Sequence, residues 1–143
     1  MNFKKQAYQL EKFLEDELIK KPPITVLSNG SLVYNNFIID KTSIESWSLK
    51  RRGGNLLDTF NLKASAIAAA NLYSRNNFKN YSSLKILDEM YFKHSTDANR
   101  YKNRYQTTND LDLRDLFISR YMESKERADY AKQQIVTQFR TMF

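Results

Sequence analysis

Two heptad seams in the second half of the chain constrain its fold more than any other feature. Leu84, Leu87, Tyr91, His94, Ala98, Tyr101 and Tyr105 recur at 3-4-3-4-3-4 spacing. That spacing keeps one stripe of a helix turned toward a partner helix. After Thr107-Thr108-Asn109-Asp110, a second seam runs through Phe117, Tyr121, Ser124, Ala128, Ala131, Ile135 and Met142. Asn109 or Asp110 is placed to cap the second helix, and Asp112 and Asp115 favour its positive end. Folding the chain back at 107–110 pairs the layers. Tyr101 meets Phe117, Ala98 meets Tyr121, His94 meets Ser124, Tyr91 meets Ala128, Leu87 meets Ala131, and Leu84 meets Ile135. Large residues face small ones along most of an antiparallel hairpin about 40 Å long. Ile86, Met90, Leu113, Leu116, Ile118, Met122, Phe139 and Phe143 lie off the seam. A lone hairpin leaves them in water, so they call for the rest of the chain or for a second copy, and a homo-oligomer is expected.

The first half changes period. Phe3, Ala7, Leu10, Phe13, Leu14 and Leu18 predict an amphipathic helix over 3–20, stopped by Pro22 and Pro23. Ile24 and Val26, then Leu32 and Tyr34, alternate around Ser28-Asn29-Gly30-Ser31, a hairpin pattern. Phe37-Ile38-Ile39 is a third apolar run, and Ile44, Trp47 and Leu49 belong to a fourth that ends in Lys50-Arg51-Arg52. Gly53-Gly54 turns the chain into Leu56–Phe60. These runs predict three or four short antiparallel strands. Asn61 is placed to cap an alanine-rich helix over 61–75, and Asn76 and Asn77 suit its end. The expected class is α+β: a small three- to four-stranded antiparallel sheet flanked by helices, followed by a long antiparallel helical hairpin. Residues 1–77 form the α-β-β-β-α unit, and 78–143 the hairpin packed on it as one domain.

Composition removes several chemistries. With no cysteine there are no disulfides, thiolate metal sites or cysteine nucleophiles. A single histidine excludes multi-histidine metal sites. His94 lies on the seam, where a hydrogen-bonded core histidine is the ordinary case, and a His–Ser pair without an acid is no triad. Asp88-Glu89 followed by His94 has the wrong spacing for a di-metal carboxylate bundle. Asp110-x-Asp112 reads as capping. No phosphate-loop or dinucleotide pattern occurs, and Gly53-Gly54 lacks one. The expectation is a protein that is not an enzyme, with no cofactor and no metal. No apolar run approaches about 18 residues, so no membrane partner is expected. The start, Met-Asn-Phe-Lys-Lys, leads into a charged segment, so the expected location is cytoplasmic (host cytoplasm or virion if viral).

What remains is charge. The chain carries +7, and residues 61–80 hold three cations and no acid. A basic surface favours polyanions. One candidate surface joins Lys50-Arg51-Arg52, Gly53-Gly54 and Lys63, where a strand end and a helix start would meet around phosphate. The other is a ladder of Lys93, Arg100, Lys102 and Arg104 among Phe92, Tyr101 and Tyr105, which suits single strands by charge and stacking. Arg75, Lys79 and Lys85 extend the basic zone. The expected function is a self-associating, nucleic-acid-binding accessory protein that contacts phosphates through its basic middle segment. The alternative is a structural or assembly protein that uses the helical hairpin as its protein interface.

Two resemblances accompany these residues. The order of elements over 3–75, with the alanine-rich helix start Leu62-Lys63-Ala64-Ser65-Ala66-Ile67-Ala68-Ala69-Ala70, is similar in topology to the double-stranded-RNA-binding domain. The AT-rich style of composition, the Trp47-Ser-Leu-Lys-Arg-Arg strand and the Asp58-Thr-Phe-Asn-Leu-Lys-Ala helix start resemble small accessory proteins of large tailed marine phages. That second resemblance implies a DNA-associated role, or a virion structural or assembly role in which the hairpin meets other viral structural proteins, and it assigns no site residues.

Overall fold

The computed structural model describes residues 24–43 and 46–140. The expected helix over 3–20, and Ile44, Met142 and Phe143, lie outside them. Five strands form one antiparallel meander in sequence order: β1 (Ile24–Val26), β2 (Leu32–Tyr34), β3 (Phe37–Ser43), β4 (Ser46–Arg51) and β5 (Leu56–Phe60). Three helices follow: α1 (Lys63–Ser74), α2 (Phe78–Thr107) and α3 (Leu111–Arg140). None is long and apolar enough to cross a membrane among the described residues.

The α+β class is as expected, but the sheet has five strands, not three or four. The fifth is Leu56–Phe60, which pairs along β4 before the chain enters α1. Asn35 takes a left-handed φ of 50°, so β2 reverses into β3 within two residues. Asparagine tolerates that conformation better than most side chains. The Asn29-Gly30 turn lies where the sequence predicts it, with Gly30 at φ 88° and the Ser31 N–H donating to Asn29 Oδ1 at 3.0 Å.

Register sorts the faces. Leu32 pairs with Ile39, Ile39 with Leu49, and Tyr34 with Phe37. These residues and Phe60 are buried against α1. Every residue of α1 from Ala64 to Leu72 is buried, so the helix is covered on all sides. The sheet lies on one side and the α2–α3 hairpin on the other. A helix between two layers must be apolar or small all round, and the run of alanines lets both layers approach closely. One apolar cluster therefore joins the sheet, α1, and Leu84, Ile135, Val136 and Phe139 of the hairpin.

The hairpin follows its seams. Tyr101 stacks on Phe117 with ring centroids 6.4 Å apart, and Tyr105 meets Tyr121 edge-on at 5.6 Å. Leu84, Ala98, Ala128, Ala131 and Ile135 are buried, and His94 and Ser124 are half-buried. Asp110 caps α3, accepting from the N–H groups of Asp112 and Leu113 at 3.0 and 3.2 Å.

The start of α1 departs from expectation. Its N-cap is Leu62, which offers no capping side chain, and the helix begins at Lys63. Asn61 is instead a donor. Its N–H and its Nδ2 both bond the carboxylate of Asp88 on α2 at 3.0 Å. The carboxyl thus ties the residue before the N-cap of α1 to α2 and leaves the helix's own first N–H groups without a side-chain cap. The Ser65 hydroxyl lies beside the same carboxylate, short of full hydrogen-bond geometry, and is wholly buried.

Burial pushes the Asp88 carboxyl up; the bonds from Asn61, the neighbouring Ser65 hydroxyl and the charge of Lys85 act against that and do not overcome it. A carboxyl with a raised folded pKa contributes fully below its unfolded value of about 4 and loses that contribution as pH rises through the folded value. Asp88→Asn is therefore expected to gain on the parent chain in urea unfolding as pH rises from about 4 to about 7. A stability difference that does not move with pH would show that Asp88 ionises freely in the fold.

Candidate nucleic-acid interface

The β2–β3 and β4–β5 turns lie at one end of the sheet, since Phe37 pairs with Arg51. The Arg52 N–H ties the two turns together by donating to the Asn36 carbonyl. The second turn closes through Gly53 at φ 69°, with Gly54 N–H to the Arg51 carbonyl at 2.9 Å. α1 ends at this place. Arg75 is its C-cap, Asn76 is left-handed at φ 54°, and the Asn77 N–H reaches back to the Leu72 carbonyl at 2.9 Å. Asn77 then caps α2, whose first turn holds no acid.

Rings and cations interleave there. The Arg51 guanidinium lies 5.5 Å from the centre of the Tyr73 ring, within cation–π range. Tyr73 meets Phe37, Phe78 and Tyr81 edge-on at 5.7, 6.0 and 6.0 Å. Phe78 is 57% exposed although it is the first residue of α2. Arg51, Arg52, Arg75 and Lys79 are all exposed. Among the described residues, none of these four cations is paired with a carboxylate.

Behind the cluster, Asp58 is engaged. It accepts from the Tyr81 hydroxyl at 2.6 Å and from Lys85 Nζ at 3.0 Å. Burial works to raise the Asp58 carboxyl, and the bonds from Tyr81, Lys85 and the Thr59 N–H together hold it below the usual range. Burial and the Asp58 carboxylate push the Tyr81 hydroxyl well above its ordinary value, so it stays a donor.

The structure separates the other sequence candidates. Lys50 alternates to the opposite sheet face from Arg51 and lies 4.0 Å from Asp40. Lys63 does not meet the end of β4. Its Nζ lies 5.6 Å from the Trp47 ring at the start of that strand, with Lys41 at 5.8 Å from the same ring. α1 runs alongside β4 in the same sense, so its start and its end are about 18 Å apart, and Arg51 meets the end. The ladder on α2 is not one surface either. Lys93 and Arg100 share a face, whereas Lys102, nine residues from Lys93, projects about half a turn away. Arg104 lies over the Tyr101 and Phe117 rings at 5.9 and 5.8 Å, and Tyr101 belongs to the hairpin seam. Tyr73 and Phe78 are the residues that sequence reasoning missed. Their signal was the alternation of ring and cation in Tyr73-Ser74-Arg75 and Phe78-Lys79.

The chain matches no protein-family profile, no curated protein and no solved structure.

Proposed function

We propose that the protein is a non-enzymatic, single-stranded nucleic-acid-binding protein whose interface is the sheet end formed by Arg51, Arg52, Tyr73, Arg75, Phe78 and Lys79. The observation that carries this reading is an exposed Phe78 ring set among four cations that, among the described residues, have no carboxylate partner. Cations track a phosphate backbone and give affinity without sequence preference. An exposed ring offers a face for an unstacked base, which duplex bases do not present. The positive end of α2 points the same way, because its first turn brings no negative charge to repel phosphate.

Labelled single-stranded and duplex oligonucleotides titrated with the protein test this. Single strands are expected to bind tighter. Phe78→Ala is expected to lower that affinity about tenfold, the lower part of the stacking range, with helix content unchanged because the ring is largely exposed. Equal affinity for duplex, or no effect of Phe78→Ala, would remove the stacking role.

A further inference from the structure

We infer that two copies of the chain associate through their hairpin arms, with α2 of each copy against α3 of the other, about a twofold axis parallel to the arms and with the tips together. The common apolar cluster ends at Tyr91 on α2 and begins again at Ile135 on α3. Between those points the arm is two helices alone among the described residues.

On α2, Ile86, Met90, Lys93, Asp97, Arg100 and Arg104 recur at 4-3-4-3-4 spacing, off the seam, and all but the half-buried Asp97 are exposed. On α3, Asp112, Leu116, Ser119, Glu123, Glu126 and Tyr130 recur at the same spacing, and all are exposed. The first stripe holds three cations and one acid, with Arg100 4.0 Å from Asp97; the second holds three acids and no cation, with Glu123 paired to Arg127 beside the stripe at 2.7 Å. Ile86 is 60% exposed, Leu116 47% and Tyr130 58%. The stripes are thus of opposite charge, and each carries apolar side chains left in water.

The Tyr101–Phe117 stack fixes which residues stand level along the arm. With tips together, Arg100 and Arg104 of one copy stand level with Asp112 and Leu116 of the other. Lys93 stands level with Glu123 and Glu126, and Ile86 and Met90 with Tyr130. Turning one arm end for end would set Arg104 beside Tyr130 and Ile86 near Asp112, losing both matches. A twofold axis repeats the contact, which is the ordinary form of a homodimer. The match is electrostatic toward the tip and apolar near the base, so charge sets the register.

Two reversed-charge variants test the inference in sedimentation equilibrium without nucleic acid. One carries Lys93→Glu, Arg100→Glu and Arg104→Glu; the other carries Asp112→Lys, Glu123→Lys and Glu126→Lys. The parent is expected to be a dimer. Each variant alone is expected to dissociate at least about tenfold more readily, because like charges then meet at both contacts. Mixed in equal amounts, the two variants are expected to form a heterodimer, since both contacts again join opposite charges. A variant that merely misfolds cannot give that rescue. A monomeric parent at every concentration, variants that dimerise like the parent, or a mixture without heterodimer would each overturn the inference. None of the six residues belongs to the sheet-end interface, so failure here leaves the nucleic-acid reading standing.

Discussion

Phe139→Ala is expected to lower the unfolding free energy by about 3–5 kcal/mol, the usual range for removing a buried phenylalanine. Phe139 lies near the end of α3 and is fully buried in the same cluster as Ile135, Val136 and the alanines of α1. It is the largest side chain by which α3 joins the hairpin to the sheet unit, and alanine there opens a cavity with rigid walls. Urea unfolding followed by circular dichroism measures the loss. Met122→Ala, on the same helix and largely exposed, is the comparison, expected to change stability by no more than about 0.5 kcal/mol. If Phe139→Ala is equally mild, the hairpin does not pack on α1 as described.

Asp88→Ala is expected to destabilise the fold by about 2–3 kcal/mol, although it removes a carboxyl whose ionisation burial opposes. The two effects differ in kind. Burial penalises the charge, yet the carboxylate is the acceptor for both Asn61 donors at the entry to α1. Removing it leaves those donors without a partner. Asp88→Asn keeps an acceptor oxygen and is expected to lose less than half as much. The ordering parent, Asn, Ala in thermal unfolding at about pH 7 checks this contact. An alanine variant as stable as the asparagine variant would show that the acceptor is dispensable.

The hairpin was legible because a heptad is a long-range statement written locally. Once Leu84 to Tyr105 and Phe117 to Ile135 share a period, the only free quantity is the turn, and Asp110 marks it. The strands were legible as apolar runs but not as a count. Leu56–Phe60 reads as much like the approach to α1 as like a strand, and only its pairing with β4 decides. The alanine helix was legible as a helix, while its place between two layers was not. Alanine packs equally well against one layer or two, and only the burial of every position from Ala64 to Leu72 decides between them.

The candidate interface was half legible. Arg51, Arg52, Arg75 and Lys79 stand out by charge. Nothing local in the sequence shows that Arg51 reaches Tyr73, since contacts made across a sheet and a helix leave no periodic trace. Lys50 shows the converse. It adjoins Arg51 in sequence, and strand alternation sends it to the other face, toward Asp40. Asp88 sits one position off the seam beside Leu87, where an acid reads as solvent-facing until α1 is placed over it.

The most direct test of the account is the salt dependence of single-strand binding, measured for the parent and for a variant with Arg51, Arg52, Arg75 and Lys79 all replaced by serine. If these four cations meet phosphates, the logarithm of the parent's affinity falls with the logarithm of salt concentration at a slope of about −3, each contact to a single strand contributing about 0.7. The serine variant is then expected to bind weakly and to lose nearly all of that slope. No binding by the parent at low salt, or the same slope in both proteins, would contradict the account and leave the sheet end as an ordinary solvated surface.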